Sequence, residues 1–213
     1  SVLSIYFYLQ YLDKKNRLNL LWSLLVFVLA LLSKENAVVI PGLIFVTHLF
    51  RQIVLKERLT LINVVKLIFP FVVILSIYLY FHFFVYGLAT GDSYIWDFSV
   101  RKGVNTLAWY LLWSFNIPEM FVDYIGPGFN VNPNLAKYWL KETIILLSLI
   151  GCIIIYIAGL SLYYLRKDMK TLRLIMLFSI CWFIIALLPV IFLPIHKFTY
   201  YLTMPILGLM FLV

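Results

Sequence analysis

Apolar residues fall into long runs at positions 1–12, 18–32, 37–50, 67–86, 143–165, 174–193 and 200–213, separated by stretches that hold most of the charge. A helix rising about 1.5 Å per residue needs about 20 residues to cross a hydrocarbon core of about 30 Å. Runs 18–32 and 37–50 fall short of that. As one interrupted helix they would put the basic clusters at 13–17 and 51–58 on opposite sides of a membrane; as a hairpin turning at Ser33-Lys34-Glu35-Asn36 they keep both clusters on one side. The hairpin is the reading adopted. It implies a recessed polar cavity at the turn, because charge at membrane depth is tolerated only where protein or water lines it.

The segment 87–142 is too polar to span and too aromatic for a plain solvated loop, holding Trp96, Trp109, Trp113 and Trp139. Val100, Val104, Leu107, Ala108, Leu111, Leu112 and Phe115 recur at helical spacing opposite Arg101, Lys102 and Asn105. The pattern predicts an amphipathic helix over 100–115 lying in the interface, with Asp97 or Ser99 as N-cap. Ile117-Pro118 ends it, and Gly126-Pro127-Gly128 marks an irregular stretch before the next span.

Composition agrees with this pattern: 64% of the 213 residues are hydrophobic and only 12% charged, against about a quarter charged in ordinary soluble domains. Such a chain cannot coat a water-exposed surface. The expected fold is all-α, a polytopic membrane bundle of about seven spans or part-spans with an outer interfacial helix. Residues 1–213 read as a single transmembrane region truncated at both ends, with 87–142 as an extracytoplasmic segment. Cys152 and Cys181 both sit inside apolar runs, which argues against a disulfide framework or a thiolate metal cluster.

The net charge of +8 is informative through its placement. If the runs cross alternately, the stretches 13–17, 51–66 and 166–173 share one side and carry the whole excess, while 33–36, 87–142 and 194–199 on the other side sum to zero. Basic loops collect in the cytoplasm, which sets the orientation. Clusters separated by spans do not form the continuous basic face that nucleic acid requires.

Candidate chemistry therefore lies on the outer side. Lys34 and Glu35, a cation and an anion in a tight turn between short helices, suit a site that holds a phosphate by Lys while Glu orients it or a hydroxyl; a solvated hairpin is the plain alternative. His196 and Lys197, with Tyr200 and Tyr201 following, form a second outer cluster suited to a phosphate head group, or else to interfacial anchoring. Weaker candidates are Arg101 and Lys102 for lipid phosphates, and Asp97 and Asp123, with Asp92 and Glu119, as a base, a cation ligand or helix caps. His82 is either a satisfied structural histidine or a cavity liner, and His48, beside the basic loop, reads as interfacial. No metal-spaced cluster, phosphate loop or nucleophile elbow is present in the sequence.

The run 29–41, LALLSKENAVVIP, resembles the LALLSKE-x-A-x-x-x-P signature of GT-C-type membrane glycosyltransferases, and among them the O-mannosyltransferase-like proteins with tetratricopeptide repeats and their bacterial counterparts. Three further stretches fit in order: 107–124 is similar to YL-x-x-L-x-x-P-x-x-L-x-x-DY, 182–189 to W-F-x-x-x-L-x-P, and 196–208 to RYLYLP-x-IG. The last departs from its motif, reading YYLTMP, so its missing Arg charge falls to His196 or Lys197.

The resemblance implies a site open to the extracytoplasmic side and a polyprenyl-phosphate-linked monosaccharide as donor. The acceptor would be a hydroxyl on protein, lipid or glycan, with an acidic base upstream of Ser1 and repeats downstream. It implies no firm cofactor and leaves a divalent metal undecided. The expected location is the inner membrane of a bacterium or the endoplasmic reticulum of a eukaryote. A transporter or flippase of lipid-linked sugars, or a non-catalytic membrane subunit, would share the spans and the basic face.

Overall fold

The computed structural model describes residues 2–57, 61–87, 95–126, 130–167 and 169–211, side chains at 164–167 excepted. Arg58, Asp92, Tyr94, Pro127-Gly128-Phe129 and Asp168 lie outside these residues.

The apolar runs become helices: α1 (Val2–Lys14), α2 (Arg17–Ser33), a 3-10 turn (Glu35–Val39) leading into α3 (Ile40–Val54), α4 (Leu61–Tyr80) continued by a π turn (Phe81–Val85), α7 (Pro133–Lys167) and α8 (Met169–Ile191). Between them lie α5 (Val100–Ser114), the short α6 (Phe121–Tyr124) and a minimal antiparallel ladder of β1 (Ile125–Gly126) with β2 (Asn130–Val131). A 3-10 turn (Thr199–Thr203) and α9 (Pro205–Met210) close the order. Four helical stretches are long and apolar enough to cross a membrane: Glu35–Val54, Leu61–Val85, Pro133–Tyr163 and Met169–Ile191. The chain is thus marked as a membrane protein. The runs at 1–12, 18–32 and 200–213 form shorter elements, the last only a 3-10 turn and a six-residue helix among the described residues.

The hairpin at 33–36 is present, and side chains fix its direction. The Ser4 hydroxyl donates to the Ser23 carbonyl at 2.8 Å, and that of Ser23 to the Ser4 carbonyl at 2.7 Å, which sets α1 against α2. Tyr8 meets His48 at 2.6 Å and Asp13 meets Arg51 at 2.8 Å, which sets α1 alongside α3 in the same direction. The chain therefore reverses between α2 and α3. These pairings, with Ile53 sharing a shallow cleft with Lys170 and Arg173, gather the basic stretches at one end of the bundle and the 33–36 turn at the other.

One expectation changes, and a packed side of α5 is added to another. His48 is buried, with Nδ1 bonded to the Tyr8 hydroxyl, because a neighbouring helix offers the imidazole a partner inside the core. In α5 the packed face is Gly103, Thr106, Trp109, Tyr110 and Trp113, while Val100, Val104 and Leu111 of the expected apolar stripe stay exposed. Large aromatic rings bury more area than a Val, and Gly103 admits Ile191 and Phe192 so closely that a Cβ there would lie 3.4 Å from each. Ser99 does occupy the N-cap position but its side chain caps nothing; the Asp97 carboxylate accepts the Ser99 N–H instead.

Two cores result. One joins α1–α4 and Trp182 around Tyr8, Phe27 and Phe71. The other joins α5, α8 and the 199–203 turn around Tyr110, Trp113 and Leu187. Of the Pro133–Tyr163 stretch in α7 only 6% is buried, so its apolar faces look outward, as a lipid-facing helix requires.

Candidate functional site

The 33–36 turn forms because α2 runs out of helix at Lys34, whose backbone is extended (φ −160°, ψ 132°) while its N–H still donates to the Ala30 carbonyl. The Lys34 carbonyl accepts from Ala37 at 3.1 Å and starts the 3-10 turn, and Pro41, near the start of α3, needs no donor there. The 196–203 turn forms where α8 ends before Pro194. It is held from a distance: one Glu119 carboxylate oxygen accepts both the N–H of Thr199 at 3.0 Å and its hydroxyl at 2.5 Å.

These two turns, from opposite halves of the chain, meet. The Lys34 ammonium stands 4.4 Å from the Tyr200 ring centroid and 5.5 Å from that of Tyr201, a cation–π contact of the usual range. Tyr200 in turn stacks on Phe198 at 5.5 Å, and the Tyr201 hydroxyl shares a 2.9 Å hydrogen bond with His196 Nε2. His196 is buried, and burial lowers its pKa, opposed by the charge of Glu35 nearby.

Behind this junction lies a cavity of about 930 Å³ between α3, α4 and α8. Its polar lining includes Glu35, Asn36, Tyr78, His82 and Tyr201; the rest is mostly apolar, with Leu75, Leu79 and Leu188 among its walls. Lys34 sits at the rim through its contact with Tyr201. His82 is a cavity liner, stacked on Tyr78 at 5.6 Å.

The structure therefore brings together Lys34, Glu35, His196, Tyr200, Tyr201 and His82. It separates Lys197, whose ammonium turns to Asn105 Oδ1 on α5 at 3.4 Å and whose pKa burial lowers. Alternation along the turn explains this: His196 points inward, so its neighbour points to α5. Lys102 is paired with Asp97 at 2.5 Å, and that contact, with the Ser99 N–H, holds the Asp97 carboxyl below its ordinary value. Arg101 and Asp123 are exposed and line no part of the cavity, nor does any residue of α5. Among the described residues no three His, Cys, Asp or Glu side chains gather closely enough to hold a metal ion.

Gly42 and Tyr78 are cavity residues that the linear pattern did not single out, and only the three-dimensional meeting of α3, α4 and α8 reveals them; Trp96, one of the aromatics of the 87–142 segment, joins the same lining. Glu119 stood in sequence only as one outer acid among several, and here it is a positioning residue for the turn that carries Tyr200 and Tyr201. Glu119→Ala, leaving two part-buried donors without their carboxylate, is expected to cost about 1.5–3 kcal/mol. Glu119→Gln, which keeps an acceptor, should lose about half of that. Thermal unfolding in detergent of these variants, each with and without Thr199→Ala, checks the coupling.

Because burial lowers the His196 pKa, the unfolded chain takes up a proton there that the folded chain resists. Its contribution to stability is complete above the unfolded value of about 6.5 and declines as pH falls below it. The drop in melting temperature between neutral pH and about pH 5.5 should shrink in His196→Gln, which retains a partner for Tyr201.

No family model, curated protein or solved structure matches the chain.

Proposed function

We propose that this chain is the membrane region of a glycosyltransferase that takes a monosaccharide from a polyprenyl-phosphate donor and passes it to a hydroxyl of a protein or glycan outside the cytoplasm. The observation that carries this reading is the meeting of the Lys34-Glu35 and His196–Tyr201 turns at the polar end of a largely apolar cavity. A ligand suited to that shape has an anionic head and a long hydrocarbon tail, and a polyprenyl-phosphate sugar has both. The stretches 29–41, 182–189 and 196–208, which carry the resemblance to GT-C-type enzymes, all contribute to the cavity lining, and Glu119 of the stretch 107–124 holds the Thr199 turn in place.

In this reading the bundle is GT-C-like, with about seven spans or part-spans and its basic end in the cytoplasm. Lys34 neutralises the donor phosphate and stabilises the charge that builds on it as the glycosidic bond to phosphate breaks. Glu35 orients a sugar or acceptor hydroxyl, and Tyr200 and Tyr201 hold the ammonium in place. The acceptor proton passes to an acidic residue upstream of Ser1, as the resemblance implies. Lys197, Arg101 and Lys102 serve the interface and the packing of α5.

The test is transfer of radiolabelled sugar from a polyprenyl-phosphate donor by the purified full-length protein. Label in the acceptor supports the reading. Label that crosses a vesicle membrane still attached to its lipid, with none in an acceptor, identifies a flippase of lipid-linked sugars and overturns it.

A further inference from the structure

The basic end of the bundle, away from the Lys34 junction, carries a second concave feature. Where α3 finishes and α8 begins, Ile53, Lys170, Arg173, Leu174 and Leu177 line a shallow cleft of about 400 Å³. Helical spacing makes this lining: Lys170, Leu174 and Leu177 stand at i, i+4 and i+7 on α8, and Arg173 lies four residues before Leu177. Both cations therefore share the face that carries the leucines. That face continues along α8 as Ile180 and Ile184, which are exposed like Leu177.

The neighbouring helix ends differ in how their charge is met. On α3, Arg51 is taken up by Asp13 at 2.8 Å and Glu57 at 3.4 Å. On α8, Arg173 Nη2 meets the Met169 sulfur at 3.3 Å, an uncharged and weak acceptor. Among the described residues no carboxylate pairs with Lys170 or Arg173. The surplus is also written in the sequence, where 166–173 sets Arg166, Lys167, Lys170 and Arg173 against Asp168 alone, a net +3.

α8 belongs to a stretch of membrane-crossing length, Met169–Ile191. Its first turns, with the two cations, then stand at headgroup level, and residues 177–184 stand among the acyl chains. At the roughly 30 Å³ that a water molecule occupies in the liquid, the cleft has room for about a dozen non-hydrogen atoms. A phosphate with its glycerol and the first chain carbons is of that size. A guanidinium forks onto phosphate oxygens and an ammonium adds a point charge. A free phosphate would leave Ile53, Leu174 and Leu177 uncovered; a lipid phosphate covers them with its chain.

We infer that this cleft binds an anionic phospholipid of the leaflet at the basic end, its phosphate between Lys170 and Arg173 and one chain along Leu174, Leu177 and Ile180. Basic pockets between membrane helices hold lipid headgroups by this combination of charge and shape. The inference needs α8 in the membrane and does not depend on the transferase reading.

Its test places the full-length protein in phosphatidylcholine vesicles with a trace of phosphatidylglycerol that carries a photoreactive diazirine near the top of one chain. Phosphatidylcholine with the same diazirine chain is the reference probe, and labelled peptides are read by mass spectrometry. The anionic probe should label the peptides holding Ile53, Leu174 and Leu177 on the order of 25-fold more than the reference, about fivefold for each cation. Lys170→Gln with Arg173→Gln should bring that ratio close to one. Both side chains are exposed, so the fold should persist, and equal labelling of α7 by the reference probe verifies insertion.

Lys14→Gln with Arg17→Gln removes the same two kinds of charge from exposed positions at the same end, and should leave most of the preference. No preference in the parent protein, or a loss in the Lys170 and Arg173 pair no greater than in the Lys14 and Arg17 pair, overturns the site in favour of a general basic surface. Unlabelled phosphatidylglycerol should compete with the probe. Displacement by inorganic phosphate alone, or by polyprenyl phosphate at lower levels than phosphatidylglycerol, assigns the cleft to a free anion or to a carrier lipid and overturns the phospholipid site.

Discussion

Lys34→Ala should lower sugar transfer on the order of 100- to 1,000-fold, the usual cost of removing one group that stabilises developing charge. The protein should remain in the membrane, because the Lys34 side chain is exposed and its backbone bonds to Ala30 and Ala37 do not depend on it. Lys34→Arg keeps the charge over the Tyr200 ring and should retain most transfer. Tyr200→Leu removes a contact worth about 0.5–1 kcal/mol at an exposed site, so a loss of only about two- to fivefold is expected. Initial rates over a range of donor concentrations separate the two effects: the Lys34 loss falls chiefly on kcat and the Tyr200 loss on KM. Near-normal transfer by Lys34→Ala would remove the residue from the mechanism.

The largest effect on stability is expected at Gly208, from Gly208→Val. A Cβ there would stand 2.6 Å from Trp182 Cδ1 and 2.9 Å from Trp182 Cβ and Cγ. Trp182 cannot swing aside, because its Nε1 donates to the Met204 carbonyl at 2.9 Å and its ring packs against Phe178 and Phe211. Its Cβ moves only with α8. Gly208→Ala is therefore expected to cost about 1–3 kcal/mol by overpacking, and Gly208→Val more. Gly151 in α7 is the control, with nothing within 4 Å of its missing Cβ; Gly151→Ala should be neutral or stabilising by up to about 1 kcal/mol through helix propensity. Thermal unfolding in one detergent, followed by tryptophan fluorescence, compares the two. Equal melting temperatures for Gly208→Ala and the parent protein would mean that α9 does not pack on α8 as described.

Most of the helical order was readable along the chain, for a physical reason: an apolar run of sufficient length has few alternatives to a helix in lipid. The reversal at 33–36 was also readable, since the basic residues flanking α2 and α3 pin both outer ends to one side. Charge placement likewise put the 33–36 and 194–199 stretches at the same end, where Lys34 and Tyr200 meet.

What escaped the sequence depends on distant partners. Glu119 and Thr199 are far apart along the chain, and no local pattern pairs them. His48 reads as interfacial until Tyr8 is seen beside it. The protein-facing side of α5 was not legible, because aliphatic spacing gives little weight to Trp, Tyr, Thr and Gly, the residues that make that face. Lys197 was grouped with His196 as its neighbour, yet adjacent side chains in a turn point to different partners, here Asn105 and Tyr201.

The central claim is that a lipid-borne phosphate binds where the two turns meet, and the most direct measurement is the structure of the full-length protein with a polyprenyl-phosphate sugar bound. Phosphate density is expected within hydrogen-bonding reach of the Lys34 ammonium, and tail density in the cavity along Leu75, Leu79 and Leu188. A bound donor whose phosphate lies away from Lys34, or a cavity filled by another helix of the protein, would contradict it.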